Sequence, residues 1–222
     1  MFPARWSCMR KKAIALLLAL AAAAAGGCGG GEEEYTIDQF MDYTWIGGGA
    51  FSPDETRLLV TTDRSGLFNA YSVPVTGGEM TALTHSEKAP VFALSWMPGT
   101  DAFLFLRADG GKGDYHIFMQ DEHGREKDLT PWPGSRSVFH GWTRDLEHMV
   151  FTSNKRDGVY EDIYLMDVRT LQPRMIYLND AGYSLGHLSG DKRYIALYRY
   201  ITEHDSQMLI HDRRTGALRQ IS

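Results

Sequence analysis

The chain has 222 residues, 43% of them hydrophobic and 12% aromatic, a composition that can bury a sizeable core and excludes an intrinsically disordered chain. With 23 Lys and Arg against 28 Asp and Glu, the net charge is -5, which offers no basic surface to hold a nucleic-acid backbone, so nucleic acid is not an expected partner. Two cysteines and no Cys-x-x-Cys pair exclude a disulfide framework, thiol exchange and a sulfur-built zinc site.

At the start, Arg5, Arg10, Lys11 and Lys12 precede the apolar run Ala13 to Ala25. This is the cationic region and hydrophobic region of a secretory signal, too short to span a bilayer comfortably. Met9-Arg10-Lys11-Lys12 is an alternative start. Ala25-Gly26-Gly27-Cys28 resembles the lipobox of bacterial lipoproteins, with Ala25 where Leu is usual; the resemblance implies lipidation of Cys28 after removal of residues 1–27. That removal takes four cations and no anion, leaving 19 cations against 28 anions, a net charge of -9. Residues 28–38, opened by Gly29-Gly30-Gly31-Glu32-Glu33-Glu34, are expected to form a flexible acidic tether. Gly29, in place of Asp after the cysteine, points to the outer membrane of the cell envelope, facing the periplasm.

From Tyr35 onward short alternating apolar runs recur between Gly, Asp and Asn turn signals, an all-β pattern. The order is a turn such as Ser52-Pro53-Asp54, the strand Leu58 to Thr62, a second strand from Phe68 to Val73, and the ending Ala82-Leu83-Thr84; it returns three more times. The spacing from Phe51 to Trp96 to Trp142 to Leu188 is 45, 46 and 46, and from Thr84 to Thr130 to Tyr177 to Ser222 it is 46, 47 and 45. Four strands in about 45 residues is the unit of a β-propeller. The spacing therefore predicts a partial β-propeller over 39–222, with four-stranded blades over 41–86, 87–133, 134–180 and 181–222. Phe51, Trp96, Trp142 and Leu188 are expected in the interblade core, and Asp54, Asp145 and Asp191 in structural turns. Four such blades would leave two blade faces uncovered, so the ring is expected to be larger.

The Ser-Pro-Asp turn, Asn154-Lys155-Arg156-Asp157-Gly158 and Asp162-Ile163-Tyr164-Leu165-Met166-Asp167 resemble propeller repeats shared by TolB and the prolyl oligopeptidase family of serine peptidases. Longer stretches, Phe68 to Glu79, Lys127 to Thr130, Gly182 to Gly186 and Asp205 to Asp212, are similar to the N-terminal propellers of the dipeptidyl-peptidase and acylaminoacyl-peptidase branch. This resemblance implies a propeller of seven or eight blades that gates the access of peptide substrates to a hydrolase domain, held at the membrane by the anchor that the lipobox resemblance implies. That catalytic domain is not seen in this chain, which is expected to be inactive alone. The alternative is a TolB-like periplasmic scaffold for protein interaction.

Gly182-Tyr183-Ser184-Leu185-Gly186 fits the G-x-S-x-G nucleophile elbow, and Asp191, Asp205 and His211 complete the order Ser, Asp, His. The pentapeptide is in phase with the first strand of the fourth blade, and a turn and strand follow it where the elbow requires a helix. No catalytic residue is therefore expected, and Ser184 is assigned a structural role. The eight histidines show no His-x-x-x-His pair beside a glutamate, so no metal site is expected. Gly110-Gly111-Lys112-Gly113 lacks the hydroxyl residue of a phosphate loop, and Glu203-His204-Asp205 reads as a solvated turn; no cofactor is expected.

Overall fold

The structure is a computed structural model that describes residues 35–108 and 113–222. Cys28, the signal, most of the tether and Gly110-Gly111-Lys112 lie outside the described residues. Where the tether was expected to continue to residue 38, a one-turn helix α1 (Ile37–Met41) begins, because Thr36 and Gln39 form a reciprocal capping box.

The remaining elements are strands, and they fall into four antiparallel four-stranded sheets. Blade 1 is β1 (Ile46–Phe51), β2 (Arg57–Thr62), β3 (Asn69–Pro74) and β4 (Thr81–Ala82). Blade 2 is β5 (Val91–Trp96), β6 (Phe103–Ala108), β7 (Tyr115–Gln120) and β8 (Glu126–Asp128). Blade 3 is β9 (Ser137–Trp142), β10 (His148–Ser153), β11 (Asp162–Asp167) and β12 (Pro173–Tyr177). Blade 4 is β13 (Ser184–Leu188), β14 (Tyr194–Thr202), β15 (Asp205–Asp212) and β16 (Leu218–Gln220). Strands pair in chain order within each sheet, the meander of a propeller blade.

Alternation along single strands explains how the blades stack. Successive side chains point to opposite faces of a strand. On β10, Met149 and Phe151 enter a cluster with Met97, Leu104 and Ile117 of blade 2, while Val150 enters a cluster with Leu188, Ile195, Leu197 and Leu209 of blade 4. On β11, Tyr164 and Met166 join the first cluster and Ile163 and Leu165 the second. A third cluster joins Leu59 and Ala70 of blade 1 to Trp96, Phe103, Phe105 and Phe118 of blade 2. The middle strands therefore read as nearly continuous apolar runs, because both of their faces are buried.

The two landmark series have separate structural causes. Trp96 packs back onto blade 1 and its Nε1 donates to the Ala50 carbonyl at 3.2 Å. Trp142 does the same toward blade 2, donating to Ser95 Oγ at 2.9 Å. Leu188 packs onto blade 3 without a donor. Phe51 departs from the interblade role expected of it and is 65% exposed. The direction of packing explains the difference: each landmark covers the preceding blade, and among the described residues no blade precedes the first. The second series latches the outer strand, as the hydroxyls of Thr84, Thr130 and Ser222 accept N–H bonds from Ala70, Ile117 and Met208 at 2.9, 2.9 and 3.0 Å. Tyr177 instead pairs directly with Ile163 in the ladder.

The expected turn aspartates form one repeated device. Ser52, Thr143 and Ser189 hydroxyls donate to Asp54, Asp145 and Asp191 at 2.6, 2.7 and 2.6 Å. The same hydroxyls accept the N–H groups of Arg57, His148 and Tyr194. Donation by the Ser52 hydroxyl, then by Thr56, holds the Asp54 carboxyl down to about 2, and hydrogen bonds likewise lower Asp145 and Asp191. Because these folded-state values lie below the usual aspartate value near 3.9, the stability they contribute is complete above about pH 4 and is lost as the pH falls toward 2. The thermal midpoint should fall over that window. In the triple variant Asp54→Asn, Asp145→Asn, Asp191→Asn that fall should flatten, and an unchanged profile would contradict the assignment.

Candidate functional site

Residues of β9 and β13, the first strands of blades 3 and 4, line a shared concave region. Each of these inner strands carries a bulge, at His140 in β9 and Gly186 in β13, and a bulge re-aims the side chains around it. Two adjoining cavities result, of about 390 Å³ and 360 Å³, and both are lined by His140 and Leu185.

The first cavity contains a chain of hydrogen bonds. Thr152 Oγ1 donates to Glu161 Oε2 at 2.8 Å, and Arg136 Nε donates to Glu161 Oε1 at 2.9 Å. His140 Nε2 lies 3.1 Å from Thr152 Oγ1. Since the hydroxyl proton is committed to Glu161, the imidazole donates from Nε2 and leaves Nδ1 as an acceptor. Desolvation lowers the His140 pKa, with the Glu161 charge opposing it, so the neutral imidazole prevails at neutral pH.

Below this cavity, buried Asp162 accepts from Arg156 Nε and Nη2 at 2.8 and 3.1 Å and from the Asn179 backbone N–H at 2.8 Å. Asn179 in turn donates to the Tyr183 carbonyl at 2.7 Å and accepts from its N–H at 3.0 Å. These bonds fix the entry of the chain into blade 4. In the loop before β11, Lys155 lies 3.6 Å from the Trp132 ring centre and 4.8 Å from that of Tyr164. Desolvation lowers the Lys155 pKa and raises the Tyr164 phenol to about 12. The Asn154 to Gly158 segment thus serves packing between blades.

Ser184 is exposed at the start of β13, and Gly182 and Gly186 have local reasons to be glycine. Gly182 has φ +69°, and a Cβ on Gly186 would come within 2.2 Å of the Tyr198 ring. His211 lies on β15 at the level of Leu188, four residues along and two strands across from Ser184, roughly 13 Å away along the strand direction alone. Asp191 is committed to its turn, and Asp205 opens β15 opposite Thr202. The structure does not bring these residues together. Ser184→Ala should leave stability within about 0.5 kcal/mol of the parent in denaturant unfolding, and a loss several times larger would contradict its placement as an exposed strand residue.

One cluster escaped the sequence argument. Asp145, Glu147 and His148 place ligand atoms within 4.8 Å of one another, the local signal being their i, i+2, i+3 spacing. Lys192 of blade 4 projects its ammonium into them, 2.6 Å from Asp145 Oδ2, 3.6 Å from Glu147 Oε2 and 3.3 Å from His148 Nδ1. The cation of this cluster is therefore a side chain, and the contact ties blade 4 to blade 3.

No family model matches the chain. Dipeptidyl aminopeptidase BIII of Pseudoxanthomonas mexicana is 28% identical over 133 residues, 59% of this chain and 19% of that protein. The chain is similar to the N-terminal propeller part of the prolyl oligopeptidase family. Among solved structures, TolB from Acinetobacter baumannii superposes with a TM-score of 0.58 at 21% identity, over 80% of this chain and 43% of TolB. A structure from a mechanistic study of two prolyl endopeptidases superposes with a TM-score of 0.58 at 11% identity, over 79% of this chain and 28% of its own. This propeller, of the kind found in prolyl oligopeptidases and TolB, thus spans about a fifth of the curated relative it matches.

Proposed function

We propose that this chain is the propeller portion of a lipid-anchored serine exopeptidase of the prolyl oligopeptidase type, held in the bacterial cell envelope at the outer membrane and facing the periplasm. The observation that carries the proposal is the 28% identity to a dipeptidyl aminopeptidase, in a chain whose described strands all serve blades. In this reading further blades complete the ring, and the ring covers the entrance to a hydrolase domain, admitting short peptides and turning away folded ones. Acylated Cys28 and the acidic tether hold the assembly at the membrane. The propeller gates and positions the peptide, and the hydrolase domain cleaves it.

The nucleotides that follow the Ser222 codon test this directly. In-frame blades leading to a hydrolase domain would support the peptidase, whereas a stop codon would overturn it. Radiolabelled palmitate incorporation that is lost in Cys28→Ser would support the anchor, and labelling that persists would refute it. A second reading, a TolB-like periplasmic interaction scaffold, is favoured by the higher identity of the TolB match, 21% against 11% for the prolyl endopeptidase. A stop codon with a monodisperse folded product would support that reading.

A further inference from the structure

One of the three blade interfaces differs from the other two. Between blades 1 and 2 and between blades 2 and 3, an indole fills the space beside the inner strands and its N–H bonds to the preceding blade. Between blades 3 and 4 the equivalent residue is Leu188, which has neither the ring nor the donor. The position facing it, occupied by Ala50 and Ser95 in the earlier interfaces, is Gly141, with no side chain to fill the gap. A cleft of about 360 Å³ lies at this interface, walled by Trp142, Val150, Leu185 and Leu188.

The rim of the cleft carries Arg144, His140 and His187 and no carboxylate. Arg144 makes no ion pair among the described residues, and its side chain lies against Gly190 of blade 4, 3.1 Å from where a Cβ there would stand. An unpaired cation beside a cleft that has one apolar wall of Trp142, Val150, Leu185 and Leu188, on a protein of net charge -5, selects a particular chemistry. A flat aromatic group satisfies the wall, and an anion satisfies the rim.

We propose that the cleft between blades 3 and 4 binds a small aromatic carboxylate, its ring taking the place that Trp96 and Trp142 hold in the other interfaces and its carboxylate meeting Arg144. A ring N–H can donate to the Gly141 carbonyl, as the Trp96 indole does to Ala50. Such a ligand site does not depend on the peptidase reading, since Gly141 and Leu188 set this interface apart from the two others whatever domain follows.

Calorimetric titration of the full chain with indole-3-acetate, and with 3-methylindole as the uncharged counterpart, tests it. Both should bind saturably, the acid more tightly. Leu188→Trp should raise the thermal midpoint and weaken both ligands by at least about tenfold, because the protein then supplies its own indole. Arg144→Gln should weaken indole-3-acetate by about tenfold and leave 3-methylindole unchanged, the size expected for one charge-assisted hydrogen bond. No saturable binding to the parent chain, full affinity in Leu188→Trp, or equal weakening of both ligands by Arg144→Gln would each overturn the proposal. Should Leu188→Trp fail to fold, the Arg144→Gln comparison decides, since that exposed side chain bears no core contact.

Discussion

Phe151→Ala should lower the stability of the propeller by about 3–5 kcal/mol. The ring is fully buried on β10, stacked on Tyr164 at 5.2 Å and 20° and on Trp132 at 6.2 Å and 17°. It stands in the cluster that joins blade 3 to Met97, Leu104, Ile117 and Leu129 of blade 2. Blades 1 and 2 are coupled to blades 3 and 4 mainly through this cluster, so the cavity left by the ring weakens a junction between halves as well as one site. In a stacked array, stability is close to a sum of unit and neighbour-interface contributions. Denaturant unfolding followed by fluorescence and by circular dichroism should therefore shift to lower midpoint and lose coincidence between the two probes. A loss under about 1 kcal/mol with a single coincident transition would show that the interface is not the junction described.

Asp162→Ala should cost about 2–4 kcal/mol, through a different cause. The carboxylate is completely buried, while its partner Arg156 is 31% exposed, so the guanidinium regains some water when the carboxylate goes and the loss falls below that of a fully buried pair. The Asn179 N–H, which is also buried, has no such recourse and is left without an acceptor. Since Asn179 holds Tyr183 at the entry to blade 4, the variant should also open residues 179–183 to protease. Asp162→Asn, which keeps an acceptor, should lose less. Equal loss in the two variants, or a parent-like cleavage pattern in Asp162→Ala, would contradict this account.

The parts of the molecule legible in the sequence are those governed by local chemistry repeated at a fixed interval. Ser52, Thr143 and Ser189 each stand two residues before an aspartate, and that spacing alone closes the turn. Trp96 and Trp142 recur with the period of the blade, so a shared environment follows. What a period does not carry is direction: Phe51 occupies the same register as Trp96, yet only the stacking order decides that it faces outward. Lys192 shows a second limit, because its partners lie 44 to 47 residues earlier in the chain and meet it only across an interface. The cleft beside Leu188 was within reach of the sequence, for the break in the aromatic series is visible there. Its meaning depended on seeing that the Trp96 and Trp142 indoles bridge blades.

The backward packing of Trp96, Trp142 and Leu188 gives the propeller a polarity in time. During synthesis the N-terminal blade emerges first, and each later blade brings its own plug to a socket that has already left the ribosome. Growth can thus proceed one blade at a time, each new blade covering the face left by the one before it, while the Phe51 face of the first blade stays open.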